Sequence, residues 1–157
     1  MDFHNPPPEP LASAPGFLLS WHGRRTAHAF AENLRRLGLR PPHFGVLRLI
    51  AAQPGSTQQE LVERSMIDPS SMVAVIDELE ELGLAERCPH EGDRRKHAIE
   101  LTPEGRRTLR RAQSIANQTA ETVLGPLNAK EREELLILLR KLAGLDSETS
   151  RRQPGEG

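Results

Sequence analysis

Aromatic residues are scarce in this chain: four Phe, one Trp and no Tyr among 157 residues. A protein that grips single-stranded nucleic acid stacks bases on exposed rings, and too few rings are present to build such a platform. Cysteine occurs once, at Cys88, which excludes an intramolecular disulfide framework. There is no signal-peptide core and no apolar run long enough to span a bilayer, so a cytoplasmic address and no membrane partner are expected. No glycine-rich phosphate loop, paired-carboxylate constellation or Ser/His/Asp arrangement appears, which argues against an enzyme and leaves no cofactor to expect. An excess of positive charge is missing too, since the formal net charge is −1.

What is present is more telling in its distribution than in its total. A chain of this length suits one domain able to bury roughly 70% of its unfolded surface. Between Thr57 and Gly83 seven acids face one base, Arg64, for a net of −6. Between Leu84 and Arg111 eight bases face five acids, for a net of +3. If the partner is a polyanion, the acids must point away from it and the basic stretch toward it.

Proline gathers at one end. Pro6, Pro7, Pro8, Pro10 and Pro15 make residues 1–15 read as a flexible arm, and polar residues 147–157 read as a flexible tail. No internal repeat lies between them. A first helix is expected from about Phe17 to Leu37, with Phe17, Trp21, Ala27, Phe30, Ala31, Leu34 and Leu37 near one stripe and Gly38 as its stop. Pro41-Pro42 opens a second helix, with Phe44, Leu47, Ile50 and Ala51 on one face and Pro54-Gly55 after it. Thr57-Gln58-Gln59-Glu60 has the pattern of a capping box. Asp68 caps a further helix with Pro69 in its first turn, running to Gly83.

After Gly83 the period changes. Leu84–Cys88 and Lys96–Leu101 read as paired strands around a polar turn. Thr102-Pro103-Glu104 starts a helix to about Leu124, and Asn128 with Glu131 caps a last one ending near Leu145. The resulting order is four helices, two strands and two helices, in which residues 41–101 make a winged helix-turn-helix. Gly92-Asp93-Arg94-Arg95 falls at the wing tip. Two guanidinium groups there can reach an anionic groove that a helix cannot enter, and the adjacent carboxylate can hold one of them in place.

Together these segments make the chain resemble the MarR family of bacterial transcription regulators over residues 17–145. The resemblance is carried by Pro41-Pro42-His43-Phe44-Gly45-Val46-Leu47, Thr57-Gln58-Gln59-Glu60-Leu61, Asp68-Pro69-Ser70-Ser71 and Leu79-Glu80-Glu81-Leu82-Gly83-Leu84. The wing Gly92-Asp93-Arg94-Arg95 and the following Leu101-Thr102-Pro103-Glu104-Gly105 complete it. It implies a mainly α fold with a small β wing, in a single domain over residues 16–146. Helices within 16–38 and 103–145 would intertwine with those of a second copy. It further implies a homodimer that binds a pseudo-palindromic operator in double-stranded DNA and releases it on binding a small ligand, with repression as the usual outcome.

On that reading the recognition helix enters the major groove by its N-terminal end. Ser70 and Ser71 would meet base edges or phosphate, Ala74 and Val75 would lie against thymine methyls, and Gln58 joins the DNA-contacting set. Asp77, Glu78, Glu80 and Glu81 would point away. Many relatives carry Arg where this chain has Ala74 and Glu78, so major-groove readout is expected to be modest and the wing to carry more. The family pattern puts Arg94 in the minor groove, where narrow A·T tracts concentrate negative potential, and pairs Arg95 with Asp93. Phe17, Leu135, Leu138, Leu139 and Leu142 are the expected dimer contacts. Trp21, Arg25, His28, His43 and Leu47 are the expected lining of an effector pocket suited to an aromatic carboxylate or phenol.

Three rival readings use other residues. A zinc sensor would draw on His22, His28 and His43, with only Gln113, Asn117, Gln118 and Glu121 to add from the fifth helix. A thiol switch would use Cys88, with Arg87 and His90 nearby to lower its pKa. A winged helix that binds only protein would suit the acidic recognition helix. No metal is expected.

Overall fold

The computed structural model describes residues 6–90, 92 and 96–145, so the expectations at Asp93, Arg94 and Arg95 lie outside the described residues. The elements run α1 (Pro15–Leu34), α2 (Pro41–Ala52), α3 (Gln58–Glu63), α4 (Pro69–Glu81), β1 (Ala85–Pro89), β2 (His97–Leu101), α5 (Pro103–Val123) and α6 (Ala129–Leu142). The chain divides into two compact units, one ending at Thr119 and the other beginning at Ala120.

Local chemistry sets the boundaries in the first unit. Thr57 and Glu60 form a reciprocal capping box: the hydroxyl accepts the Glu60 N–H at 3.3 Å and the carboxylate accepts the Thr57 N–H at 2.7 Å. Asp68 accepts the Ser71 N–H at 3.0 Å and so starts α4. The end of α4 needs a left-handed residue, and Gly83 supplies it with φ +68°. α1 tightens into a 3-10 turn at Arg35–Leu37 before Gly38, so its α-helical part ends three residues short of Leu37. On α1, Trp21 and Leu34 are buried, but Ala27 is exposed and stands off the expected stripe. The proline-rich arm holds a 3-10 turn at Leu11–Ser13, where the Ser13 hydroxyl donates to the Pro10 carbonyl at 2.6 Å.

The core gathers Leu47 and Ile50 from α2, Leu61 from α3, Met72, Ile76 and Leu79 from α4, and Ile99 from β2, all essentially without solvent contact. Leu47 and Ile50 lie on the apolar face that the sequence periodicity marks on α2. β1 and β2 pair antiparallel, from Ala85 opposite Leu101 to Pro89 opposite His97. The hairpin is tied on its other side as well. Ile99 donates its N–H to the Ser56 carbonyl at 2.9 Å, and Thr57 bridges to Ala98.

Thr102 joins the hairpin to α5. Its hydroxyl donates to the Gly83 carbonyl at 2.7 Å and accepts the Gly105 N–H at 2.9 Å. Gly105 lies so near the end of α4 that a Cβ there would stand 1.9 Å from the Leu84 carbonyl oxygen. In the second unit, Asn128 and Glu131 form another capping box, and Arg132 donates to Glu121 at 2.5 Å and to the Leu127 carbonyl at 3.0 Å. These bonds fix the start of α6.

Candidate nucleic-acid interface

α3, the turn after it, α4 and the hairpin form a helix-turn-helix with a wing. The tip of α4 is open to solvent: Pro69, Ser70, Ser71 and Ala74 are all exposed. Asp68 organises this tip. The Ser70 hydroxyl donates to its carboxylate at 2.6 Å, and hydrogen bonds from Ser70 and Ser71 hold the Asp68 pKa well below the usual carboxylate range. Both serines thus donate to the Asp68 cap in the free protein, and both still face outward.

Val75 does not belong with them. It is 5% exposed and sits in the core with Met72, Ile76 and Leu79, so it offers no surface to a thymine methyl. The helical period explains the correction: residues 72, 75, 76 and 79 form the inward stripe of α4, whereas Ala74 faces out.

The carboxylates of α4 are not simply directed at solvent. Glu78 receives the Arg40 guanidinium, and the His43 Nε2 lies 2.5 Å from the same oxygen. The His43 Nδ1 accepts the Arg40 backbone N–H at 3.1 Å, which puts the ring proton on Nε2 and makes it the donor to Glu78. The hydrogen bond from Arg40, followed by that from His43, lowers the Glu78 pKa. Arg87 of β1 donates from its guanidinium to Asp77 at 2.7 Å and also to Glu80. Its backbone N–H donates to the other Glu80 oxygen at 3.1 Å. Sequence reasoning singled out neither Arg40 nor Arg87 as a partner of α4. The available signal was four acids on α4 with an arginine in the next strand.

Gln58 stands half-buried at the first position of α3. With Thr57, Gln59, Arg87, Lys96, His97 and Ile99 it lines an open cleft of about 300 Å³ between α3 and the hairpin. The expected effector set is dispersed by comparison. Arg25 stacks over Trp21 with its guanidinium carbon 5.5 Å from the ring centre, and the His22 ring meets Trp21 edge-on at 4.7 Å. His28 is exposed. Leu47 is fully buried in the core, and both ring nitrogens of His43 are committed to Arg40 and Glu78, so these two offer no free surface to a ligand.

Cys88 also departs from expectation. Partial burial first, then the carboxylates of Glu86 and Glu100, raises its pKa. Arg87 cannot lower it, because that guanidinium is engaged with Asp77 and Glu80. Among the described residues no group of three His, Cys, Asp or Glu side chains is placed to hold a metal ion, and no helix is long and apolar enough to cross a membrane.

Of the expected dimer contacts, Phe17 and Leu135 are half-buried. Leu138, Leu139 and Leu142 are 58%, 40% and 75% exposed, and Leu136, Ile137 and Leu145 are more than half exposed beside them. That is an unusual amount of bare aliphatic surface for one helix.

Known proteins resemble the chain in both sequence and fold. A family model described as the MarR family matches residues 37–96. A Thauera aromatica protein named for transcriptional regulation of the hcr operon is 35% identical over 83% of this chain and 82% of its own length. Among solved structures, the transcriptional repressor CouR bound to a 23-mer DNA duplex is 31% identical, with a TM-score of 0.77 over 88% of this chain and 99% of that one. The Mycobacterium tuberculosis protein Rv2887 in complex with DNA is 29% identical, with a TM-score of 0.72 over 82% of this chain and 97% of that one. Rv2887 has also been solved with salicylic acid, with a TM-score of 0.67 at 29% identity over 82% of this chain and 96% of that one.

Proposed function

The chain belongs to the MarR family of transcriptional regulators, and we propose that it works as a homodimeric repressor that leaves its operator when a small aromatic acid or phenol binds. The observation that carries the reading is the outward-facing tip of α4 beside the hairpin, with Asp77, Glu78 and Glu80 behind that tip bound to Arg40, His43 and Arg87. The Thauera aromatica relative is named as a transcriptional regulatory protein and CouR as a transcriptional repressor.

In this reading α4 enters the major groove tip-first, with Ser70, Ser71 and Ala74 nearest the bases and Gln58 of α3 beside them. The Ser70 proton is given to Asp68, so that hydroxyl presents lone pairs, which suit the amino groups of adenine or cytosine. Arg94 enters the minor groove beyond, and Arg95 reaches phosphate while paired with Asp93. A second subunit presents the same parts to the next half-site, about 34 Å away along the duplex. Trp21, Arg25 and His28 supply a ring, a cation and an imidazole on α1 for the effector. The salicylic acid complex of a relative supports that ligand class. The ligand acts by favouring a wing separation that no longer fits the operator.

The test is binding of the purified protein to the DNA upstream of its own gene, with and without salicylate. Retardation of that fragment but not of an unrelated one, reversed by salicylate, supports the proposal; equal retardation of both overturns the operator. Within that assay Arg94→Ala should weaken binding more than Ser71→Ala. It should also lower the slope of log affinity against log salt by about one for each lost phosphate contact. An unchanged slope removes Arg94 from the interface.

A further inference from the structure

α4 carries Asp77, Glu78, Glu80 and Glu81 and no basic residue. Such a helix is repelled by phosphates within about 10 Å at moderate salt unless its charge is balanced from its own side. The balance comes from neighbouring elements. Arg40 and His43 of the α2 start hold Glu78, and Arg87 of β1 holds both Asp77 and Glu80.

The strand geometry explains how Arg87 does this. Arg87 lies opposite Ile99, whose N–H is turned away to Ser56. In an antiparallel pair both N–H groups at such a position point outward, so the Arg87 N–H faces α4 and meets Glu80. Backbone and side chain of one residue therefore grip one carboxylate, and the same guanidinium reaches Asp77. The Arg87 side chain is 27% exposed, against 57% for that of Arg40, so it is the more sheltered of the two cations.

We propose that Arg87 is a positioning residue for DNA binding. It neutralises Asp77 and Glu80 and ties α4 to the wing strand, so that helix and hairpin approach the duplex together without their own carboxylates opposing it. It acts through those two acids and does not itself take a phosphate. This inference rests on the DNA-binding reading above.

Four variants test it: Arg87→Gln, Arg87→Lys, the pair Asp77→Asn with Glu80→Gln, and the triple combination of that pair with Arg87→Gln. Each is titrated against the fragment upstream of the gene at low salt, and thermal melts by circular dichroism confirm folding. Arg87→Gln should weaken binding at least tenfold, and Arg87→Lys should recover most of that loss. The Asp77/Glu80 amide pair, which keeps the hydrogen-bond acceptors but not the charges, should bind at least as tightly as the parent. The triple variant should return to within about threefold of the parent, since the charges that Arg87 balanced are gone. A triple variant as weak as Arg87→Gln means that neutralising Asp77 and Glu80 is not what Arg87 supplies and overturns the proposal. So does a tenfold loss in the amide pair, or parent-like binding by a folded Arg87→Gln. If the parent binds no duplex, the DNA-binding reading falls and takes this inference with it; the other failures leave that reading standing.

Discussion

Gly105 shows how one missing methyl group can hold two elements together. It occupies the first turn of α5, where an alanine would usually be the better helix former. A Cβ there would come 1.9 Å from the Leu84 carbonyl oxygen, and that atom is backbone that cannot rotate aside. Gly105→Ala should therefore destabilise the fold by about 1–3 kcal/mol, read as a lower urea midpoint at unchanged slope. A gain in stability, the ordinary result of Gly→Ala in a helix, would show that the close approach does not exist. The neighbouring Thr102-Pro103-Glu104 was legible as a helix start because caps are local in sequence. The demand for glycine was not, because it arises from a carbonyl twenty-one residues earlier. Asp68 carries a second expectation. Hydrogen bonds from Ser70 and Ser71 hold its pKa below normal, and bonds to Thr57, Arg40 and Arg107 lower those of Glu60, Glu78 and Glu104. A carboxylate whose folded pKa is depressed adds stability above its unfolded value near 4 and loses it as pH falls toward the folded one. The melting temperature should therefore drop as pH is lowered below about 4.5. Asp68→Asn, which still caps but does not titrate, should flatten part of that drop; an identical pH profile would remove Asp68 from the account.

The recognition helix illustrates which features of an element a sequence can show. Its start at Asp68-Pro69 and its stop at Gly83 were both readable, since each rests on a residue adjacent to the boundary. Its faces were only partly so. Met72, Ile76 and Leu79 lie inward as the apolar stripe implies, and Val75 lies with them because the stripe is wide enough to include position 75. The acids could be placed outside the core but not paired, because their partners come from α2 and β1 and depend on how three elements meet. His43 marks that meeting. It accepts the Arg40 N–H at the start of α2 and faces Glu78 on α4, while its side chain is only 4% exposed. His43→Ala should leave the Arg40 N–H without its acceptor and cost about 1–3 kcal/mol of stability. Both urea denaturation and operator affinity should register the change, because the α2 start and α4 lose a shared tie. His43→Gln, which retains one acceptor and one donor, should recover part of each. Loss of affinity at unchanged stability would instead mean that the imidazole contacts the ligand or DNA itself.

The bare face of α6 concerns how copies of the chain associate. The sequence places Leu135, Leu138, Leu139, Leu142 and Leu145 on one stripe with Leu136 and Ile137 around its side, and the structure leaves all of these except half-buried Leu135 at least 40% exposed. Fully burying an exposed leucine is worth about 1.5–3 kcal/mol and these are already partly covered, so each contributes a fraction of that, and several on each of two subunits together act against the entropy lost in pairing them. The family offers an occupant, a second copy of the chain, and the consequence is measurable. If stability includes that association, the melting temperature should rise with protein concentration, as it does not for a self-sufficient monomer. Replacing Leu138 and Leu142 together by glutamate should shift the sedimenting species from dimer toward monomer. Each resulting subunit would still carry an intact α4 and hairpin, with Asp68, Gly83 and the Arg87 pairs in the first unit unchanged. It would nevertheless contact one half-site instead of two, and the second contact would no longer be made at high effective concentration. Operator affinity should thus collapse by 100-fold or more on the order expected for lost bivalency, while weak binding to unrelated duplex persists. A double variant that remains dimeric, or one that becomes monomeric and still binds the operator as tightly as the parent, would separate the leucine face from DNA recognition.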